Sequence, residues 1–363
     1  MRIGIIGAGQ LGRMLVEAGY PLGLEFRFYD RVADTPGGQV APIVTGEFDD
    51  HARLAQFAKG CDVVTFDWEN VPVESLIPIA KRVPVYPRPD ILAIAQDRLL
   101  EKTLFRDLGI PTPAFAPVDL RYDLECVLDR IGAPGILKTR RMGYDGKGQA
   151  RIMKRKDAAA AFTSLDGQSL IYEGFVRFSR EVSMIAARSS SGEIAYYPLS
   201  ENVHASGILD ETRAPARYPS LERQARRHVR AILERFDYVG ILAVEFFVKD
   251  GILLANEMAP RVHNSGHWTI EGAVSSQFEN HLRAITGLPL GSTEPRGHSA
   301  MVNFVGAMPT RAQALAVKGL HFHDYGKREA RPGRKLGHAT VVAGSAKDRD
   351  RSLARARKLK KKG

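Results

Sequence analysis

At 363 residues the chain is too long for one hydrophobic core, so two or three domains are expected. With 44% hydrophobic and 26% charged residues it is neither disordered nor fibrous, and no run approaches the 18 apolar residues of a membrane-spanning helix. The formal net charge of +11 is uneven: residues 327–363 hold 14 Lys/Arg against 3 Asp/Glu, whereas the first 326 hold 38 of each sign.

RIGIIGAG (2–9) reads as a buried strand, and QLGRMLVEAGYPLG (10–23) as a helix with Leu11, Leu15 and Ala18 on one face. FRFYD (26–30), DVVTFD (62–67) and VPVYP (83–87) read as further strands, with LAQFAKG (54–60) closing an intervening helix. This alternation predicts a parallel, doubly wound sheet over roughly the first 90 residues. YPRPD (86–90) punctuates the chain, and a helix from residue 97 followed by a Pro-rich connection to 113 marks the first domain boundary. From about 113 to 290 the pattern is strand-rich. GILKTRRMGYDGKGQARIM reads as two strands around a glycine loop, and hairpins are expected at Gly192 and Asp250–Gly251. ERQARRHVRAILERF (222–236) is an amphipathic helix; the rest is a short mixed segment ending in RARKLKKKG. Because MRIGIIGAG begins at residue 1, no signal peptide is expected. Cys61 and Cys126 lack metal-ligand spacing, which suits a cytoplasmic protein with free thiols.

Gly7-Ala8-Gly9-Gln10-Leu11-Gly12 matches G-x-G-x-x-G between a strand and a helix, and Asp30 ends the next strand. The sharp reading is a dinucleotide site, with the phosphate on the helix N-terminus and Asp30 on the ribose. The bland reading is a tight turn that binds another phosphate or none. Lys138 ends an apolar strand five residues before Gly143, where a lysine can reach phosphates and a glycine loop can close over them; an ordinary hairpin is the alternative. Glu245 and Glu257 flank the hairpin turn. A three-residue loop centred on Gly251 would set them opposite each other, inviting Mg²⁺; a two-residue Asp-Gly turn would set Glu245 opposite Asn256. His263 and His267 have zinc spacing, but Asn264, Ser265 and Gly266 between them are loop formers, so a polar binding loop fits better. Lys327, Arg328, Arg331, Arg334 and Lys335 could clamp a phosphomonoester or form a solvated loop.

GAGQLGRM (7–14), TFDWENVP (65–72), QDRLLEK (96–102), LKTRRMGYDGKGQ (137–149), YEGFV (172–176), REVS (180–183), ENVHASGIL (201–209), ANEMAPRVHNSGHWT (255–269) and RPGRKLGH (331–338) together closely resemble the N5-carboxyaminoimidazole ribonucleotide synthase family of ATP-grasp enzymes. The resemblance spans the chain to residue 338, departing only locally, as at Val262 where proline is frequent. It implies an α/β fold: a Rossmann-like preATP-grasp domain (1–95), an ATP-grasp domain (96–290, lid about 113–172), a small mixed α/β C-terminal domain (291–346), and a disordered basic tail (347–363). It implies an ATP-dependent carbon–nitrogen ligase of purine biosynthesis, joining bicarbonate to aminoimidazole ribonucleotide through carboxyphosphate and releasing ADP and phosphate.

Residue by residue, the resemblance assigns Arg98 and Lys138 to ATP phosphates, and Gly143, Tyr144, Asp145, Gly146, Lys147, Gly148 and Gln149 to the lid. Glu173, Gly174, Phe175 and Val176 would form the adenine hinge, Glu181 would hold the ribose, and His204 and Asn256 would line the nucleotide. Glu245 and Glu257 would ligate Mg²⁺, or Mn²⁺ in its place. Tyr144, Asp145, Arg261, Lys327 and Arg334 would hold the ribonucleotide, with Asp145, Lys327 and Arg261 nearest the chemistry. A cytoplasmic homodimer is implied, with no membrane or nucleic-acid partner. The competing readings are an ATP-grasp enzyme activating another carboxylate such as formate, an NAD-dependent dehydrogenase built on Gly7–Gly12, and a nucleic-acid-binding protein built on the basic end.

Overall fold

A computed structural model describes residues 1–143, 146–165 and 168–360, and among these the strands form three sheets. The first contains β1 (Arg2–Ile6), β2 (Glu25–Asp30), β3 (Ile43–Thr45) and β4 (Val63–Phe66), in the order β3-β2-β1-β4 with every pairing parallel. β1 and β4 are apolar and almost wholly buried, as a parallel sheet covered on both faces requires. Two details differ from the sequence reading. VPVYP is not a strand: Val85 makes a single bridge to Val64, and the flanking prolines Pro84 and Pro87 bring no N–H to a ladder. The three-residue β3 is too short to show in the sequence pattern.

The second sheet belongs to the lid: β5 (Phe115–Val118), β6 (Gly135–Thr139), β7 (Gln149–Ile152) and β8 (Leu170–Gly174), antiparallel in the order β5-β8-β6-β7. Leu124, Val127, Leu137, Ile152 and Tyr172 give it a core of its own. The third sheet has nine strands: β9 (Arg180–Arg188), β10 (Ile194–Tyr196), β11 (Ser200–Ala205), β12 (Ile208–Ala214), β13 (Gly240–Lys249), β14 (Ile252–Ala259), β15 (His298–Val305), β16 (Leu320–Asp324) and β17 (Lys335–Ala343). Its main path runs β14-β13-β9-β11-β12-β15-β17-β16, with β10 on β9. Ile3 and Phe28 of the N-terminal domain share a core with Ile185, Ile241 and Met301 of this sheet and with Trp268, whereas the lid has a separate core. The expected lid thus carries a core separate from the one that joins the N-terminal domain to the large sheet.

Over its described residues, 347–360, the basic end is not a disordered tail. Ser345 caps a helix over Ala346–Arg357, accepting from the Asp348 N–H, and Leu353, Ala356 and Leu359 are buried against Ala300, Val302, Ala339 and Val341 of β15 and β17. The Arg357 guanidinium clasps Glu211 with two hydrogen bonds, and the Lys360 ammonium donates to Asp210. The apolar face is only three residues wide within a charge-rich run, too thin for its periodicity to stand out, and the partners that neutralise it lie about 150 residues away in sequence.

Candidate active site

The hairpin of β13 and β14 carries the carboxylates. Lys249 pairs with Ile252, so the turn is the two-residue Asp250-Gly251 form, with φ of 52° and 76° at its centre. That register would have set Glu245 against Asn256. Instead, Asn256 bulges out of the ladder, the register slips by one, and Glu245 stands opposite Glu257. The bulge also turns the Asn256 carbonyl onto the Lys102 ammonium at 2.6 Å, with the Ala255 carbonyl at 3.1 Å.

Cations face this hairpin from the helix Arg98–Asp107 and from β6. Asp97 caps the helix by accepting from the Leu99 N–H and binds the Arg140 guanidinium at 3.0 and 2.6 Å, tying the helix to the turn after β6. Arg98 then lies 3.5 Å from Glu257 and donates to the Gly143 carbonyl at 3.2 Å. Lys138 lies 3.0 Å and Lys102 3.5 Å from one oxygen of Glu173 on β8. Burial alone would raise that carboxyl, but the two ammoniums hold Glu173 down at about 2. Glu245 has the opposite surroundings. Burial, with Glu257 and Glu181 repelling, pushes it up to about 7, while Arg98 and Lys138 keep Glu257 below the ordinary carboxylate value against its own burial. His204 fills part of the gap: its Nδ1 meets Glu181 at 2.9 Å and its Nε2 approaches Glu245 at 3.8 Å. Although burial opposes it, these carboxylates carry His204 up to about 9.

Two carboxylates across a hairpin fit a divalent cation that takes its remaining oxygens from substrate phosphates. Among the described residues no three His, Cys, Asp or Glu side chains gather closely enough to hold a metal by themselves. His263 Nδ1 turns to the Ser265 hydroxyl at 2.9 Å, and His267 is buried.

The lid loop leaves β6 at Lys138 and returns at Gln149, its partner in the ladder. Gly148 has φ of 68°, and a Cβ there would fall 2.5 Å from the Thr139 hydroxyl, so the close return needs glycine. Tyr144 and Asp145, two of the expected ribonucleotide contacts, lie outside the described residues. Gly174 closes β8, and Phe175 and Val176 follow it as open chain, with Gly174 N–H bound to the Ala114 carbonyl and Phe175 N–H to the Pro134 carbonyl.

A second charged region lies where the N-terminal domain meets the C-terminal lobe. Arg261 pairs with Glu69 at 2.8 Å and donates to the Val262 carbonyl. The loop after β16 is fastened by Gln39 to the Gly326 carbonyl at 2.7 Å and by Arg328 to Asp34 at 3.0 Å. On that loop Lys327 donates to the Lys335 carbonyl and Arg334 to the Glu329 carbonyl. Lys102 and Glu69 are absent from the residues that the sequence reading singles out. Lys102 sits four positions after Arg98 and so on the same helix face, a spacing that points to it; nothing local marks Glu69.

The N-terminal glycine turn holds protein carboxylates. Gly12 donates to the Asp67 carboxylate at 3.0 Å, Gly9 supports the same group, and Ala8 donates to Asp30 at 2.7 Å. Gly7 has φ of 90°, and a Cβ on it would lie 2.0 Å from Asp67 Oδ1. The anion that such a turn attracts is supplied here by the protein itself.

The chain matches three family models: a ribonucleotide synthetase preATP-grasp domain over 1–96, an ATP-grasp domain over 103–278, and a phosphoribosylaminoimidazole carboxylase C-terminal domain over 299–352. The N5-carboxyaminoimidazole ribonucleotide synthase of Pseudomonas aeruginosa is 52% identical over 94% of either chain. The crystal structure of N5-carboxyaminoimidazole ribonucleotide synthetase from Thermus thermophilus superposes with a TM-score of 0.94 at 53% identity, covering 98% of each chain. N5-carboxyaminoimidazole synthase from Aspergillus clavatus, in complex with ADP and 5-aminoimidazole ribonucleotide, superposes with a TM-score of 0.91 at 32% identity, covering 99% of this chain and 98% of that one.

Proposed function

The chain belongs to the N5-carboxyaminoimidazole ribonucleotide synthase family of ATP-grasp ligases, and from that premise we propose how its residues carry out the ATP-dependent carboxylation of aminoimidazole ribonucleotide in purine biosynthesis. The observation that carries this reading is the Glu245–Glu257 pair, set on one face of a hairpin and ringed by Arg98, Lys102 and Lys138.

ATP lies between body and lid, its phosphates against Arg98 and Lys138, with Glu181 and His204 at the ribose and the 173–176 segment at the base. Lys102 keeps Glu173 and the bulged strand in place beneath them. Glu245 and Glu257 would hold Mg²⁺, which when bound supplies charge neutralisation across the β- and γ-phosphates. A bicarbonate oxygen attacks the γ-phosphorus, ADP leaves, and carboxyphosphate forms. Because water destroys that species, the lid loop 143–149 closes over it. The exocyclic amine of the ribonucleotide then attacks the carboxyl carbon, phosphate departs, and the nitrogen loses a proton. The amine is weakly basic, so placing it matters more than a strong base. Arg261, held by Glu69, together with Lys327 and Arg334 places the ribonucleotide, and Asp145 and Tyr144 meet it from the lid.

The protein works as a cytoplasmic homodimer on this reading; no helix among the described residues is long and apolar enough to cross a membrane. Purified protein should release ADP with bicarbonate, Mg²⁺ and the ribonucleotide, and release should fall to background when the ribonucleotide is omitted. ADP release indifferent to the ribonucleotide would overturn the assignment.

A further inference from the structure

Between the C-terminal end of the large sheet and the short helix Thr269–Gly272 runs a column of polar side chains that the reaction described above does not use. In the β16–β17 ladder His323 stands opposite His338. Their imidazoles stack face to face, centroids 4.3 Å apart and planes 8° apart, and His267 packs on His338 at 4.9 Å. Glu271 grips His323 Nε2 at 2.6 Å, and the Tyr325 hydroxyl meets His338 Nδ1 at 3.0 Å. His338 is fully buried, His267 and Tyr325 nearly so. Burial, reinforced by the neighbouring imidazoles, keeps His338 well below the ordinary histidine value, and burial likewise holds the Tyr325 phenol above its ordinary value.

A hairpin needs no such column for stability alone. An aromatic or aliphatic cross-strand pair would hold β16 to β17 without burying heteroatoms, whereas here Glu271 Oε2 and His338 Nε2 are buried with no hydrogen-bond partner. What hydrogen bonds add over apolar packing is a fixed orientation. The oriented end is Tyr325, the first residue after β16, and the Lys327 ammonium lies 5.8 Å from the centre of its ring while donating to the Lys335 carbonyl at 2.8 Å. Tyr325 is also tied by its own N–H to the Leu336 carbonyl across the same loop base.

We propose that Tyr325, locked in place by His338 and through the stack by His323 and Glu271, is a positioning residue of the ribonucleotide site that presets the Lys327 ammonium before substrate arrives. The column thus acts on the ribonucleotide half of the reaction and leaves the nucleotide half untouched. This rests on Lys327 contacting the ribonucleotide.

The test is steady-state kinetics on Tyr325→Phe, which keeps the ring and removes the hydroxyl. The KM for aminoimidazole ribonucleotide should rise about 5- to 10-fold, the loss expected when one buried hydrogen bond goes, with the KM for ATP and kcat changed by less than about twofold. Lys327→Ala should raise the ribonucleotide KM by itself, and adding Tyr325→Phe should raise it no further, because the tyrosine acts through the lysine. Equal increases in both KM values, or independent effects in the double variant, would reduce the column to a packing element and overturn the proposal. Should Tyr325→Phe fail to fold, Glu271→Gln must give the same KM split at about two- to threefold, or the proposal falls. A silent Lys327→Ala would show that the lysine does not meet the ribonucleotide, removing that part of the functional reading and this inference together. A silent Tyr325→Phe beside an impaired Lys327→Ala would remove this inference alone.

Discussion

Two glycine-rich turns follow strands in this chain, and their surroundings are opposite in charge. At Gly7–Gly12 the backbone N–H groups are taken by Asp67 and Asp30, carboxylates of the protein itself. At the lid turn the neighbouring charges are cations, with Arg98 on the Gly143 carbonyl and Lys138 at the foot of the loop. A glycine motif specifies a close backbone approach and nothing about what approaches. Charges brought from elsewhere in the chain decide that: here they place the protein's own carboxylates at the first turn and cations at the second, where the proposed function sets phosphate.

The contrast is tested hardest at Glu257. Replacing it with glutamine should lower ribonucleotide-stimulated ADP release about 100-fold or more, since a bound metal contributes several kcal/mol to a phosphoryl-transfer transition state; near-normal turnover would remove the hairpin from the nucleotide site. Lys102→Met strips Glu173 of one ammonium and takes the donor from the Asn256 carbonyl, and should cost about 3 kcal/mol in chemical denaturation. A loss below about 1 kcal/mol would mean that Lys138 alone satisfies Glu173. Gly148→Ala forces a Cβ against Thr139 and should lower kcat/KM for ATP about 10-fold, as expected for roughly 1–2 kcal/mol of left-handed backbone strain; unchanged ATP kinetics would show that the lid does not need that return.

On the other side of the comparison, burial holds the Asp67 carboxyl up at about 6 against an ordinary 3.8, so the folded state favours its protonated form. That contribution is complete below about pH 4 and is lost as the pH rises through 6. Wild type should therefore gain about 1 kcal/mol over Asp67→Asn when the pH is lowered from 7 to 5. Parallel stability curves for the two proteins would contradict the buried, proton-holding Asp67.

Much of this architecture is legible in the chain. The parallel N-terminal sheet shows in alternating strand and helix patterns, and the lid hairpin in two apolar runs around glycines. The juxtaposition of Glu245 and Glu257 is one of two registers open to the sequence, and the protein reaches it by a route that turn chemistry alone does not reveal. The Asp-Gly turn sets one register, and a bulge at Asn256, stabilised by Lys102 from another helix, changes it. The docked C-terminal helix is hidden for a related reason: its stability depends on Glu211 and Asp210, far away in sequence, so its charge density reads as solvation. Asp67 likewise sits 55 residues from the Gly12 N–H that it occupies. In each case local pattern defines the element, and a distant partner defines its role.

In the function proposed above, nucleotide binds at the lid and the β13–β14 hairpin and not at the N-terminal glycine turn. Hydrogen exchange of the full-length protein with and without ADP and Mg²⁺ tests it directly. Added protection is expected over residues 143–149 and 254–258, with no change over 7–12. Protection gained at 7–12 with none at the lid and hairpin would contradict it.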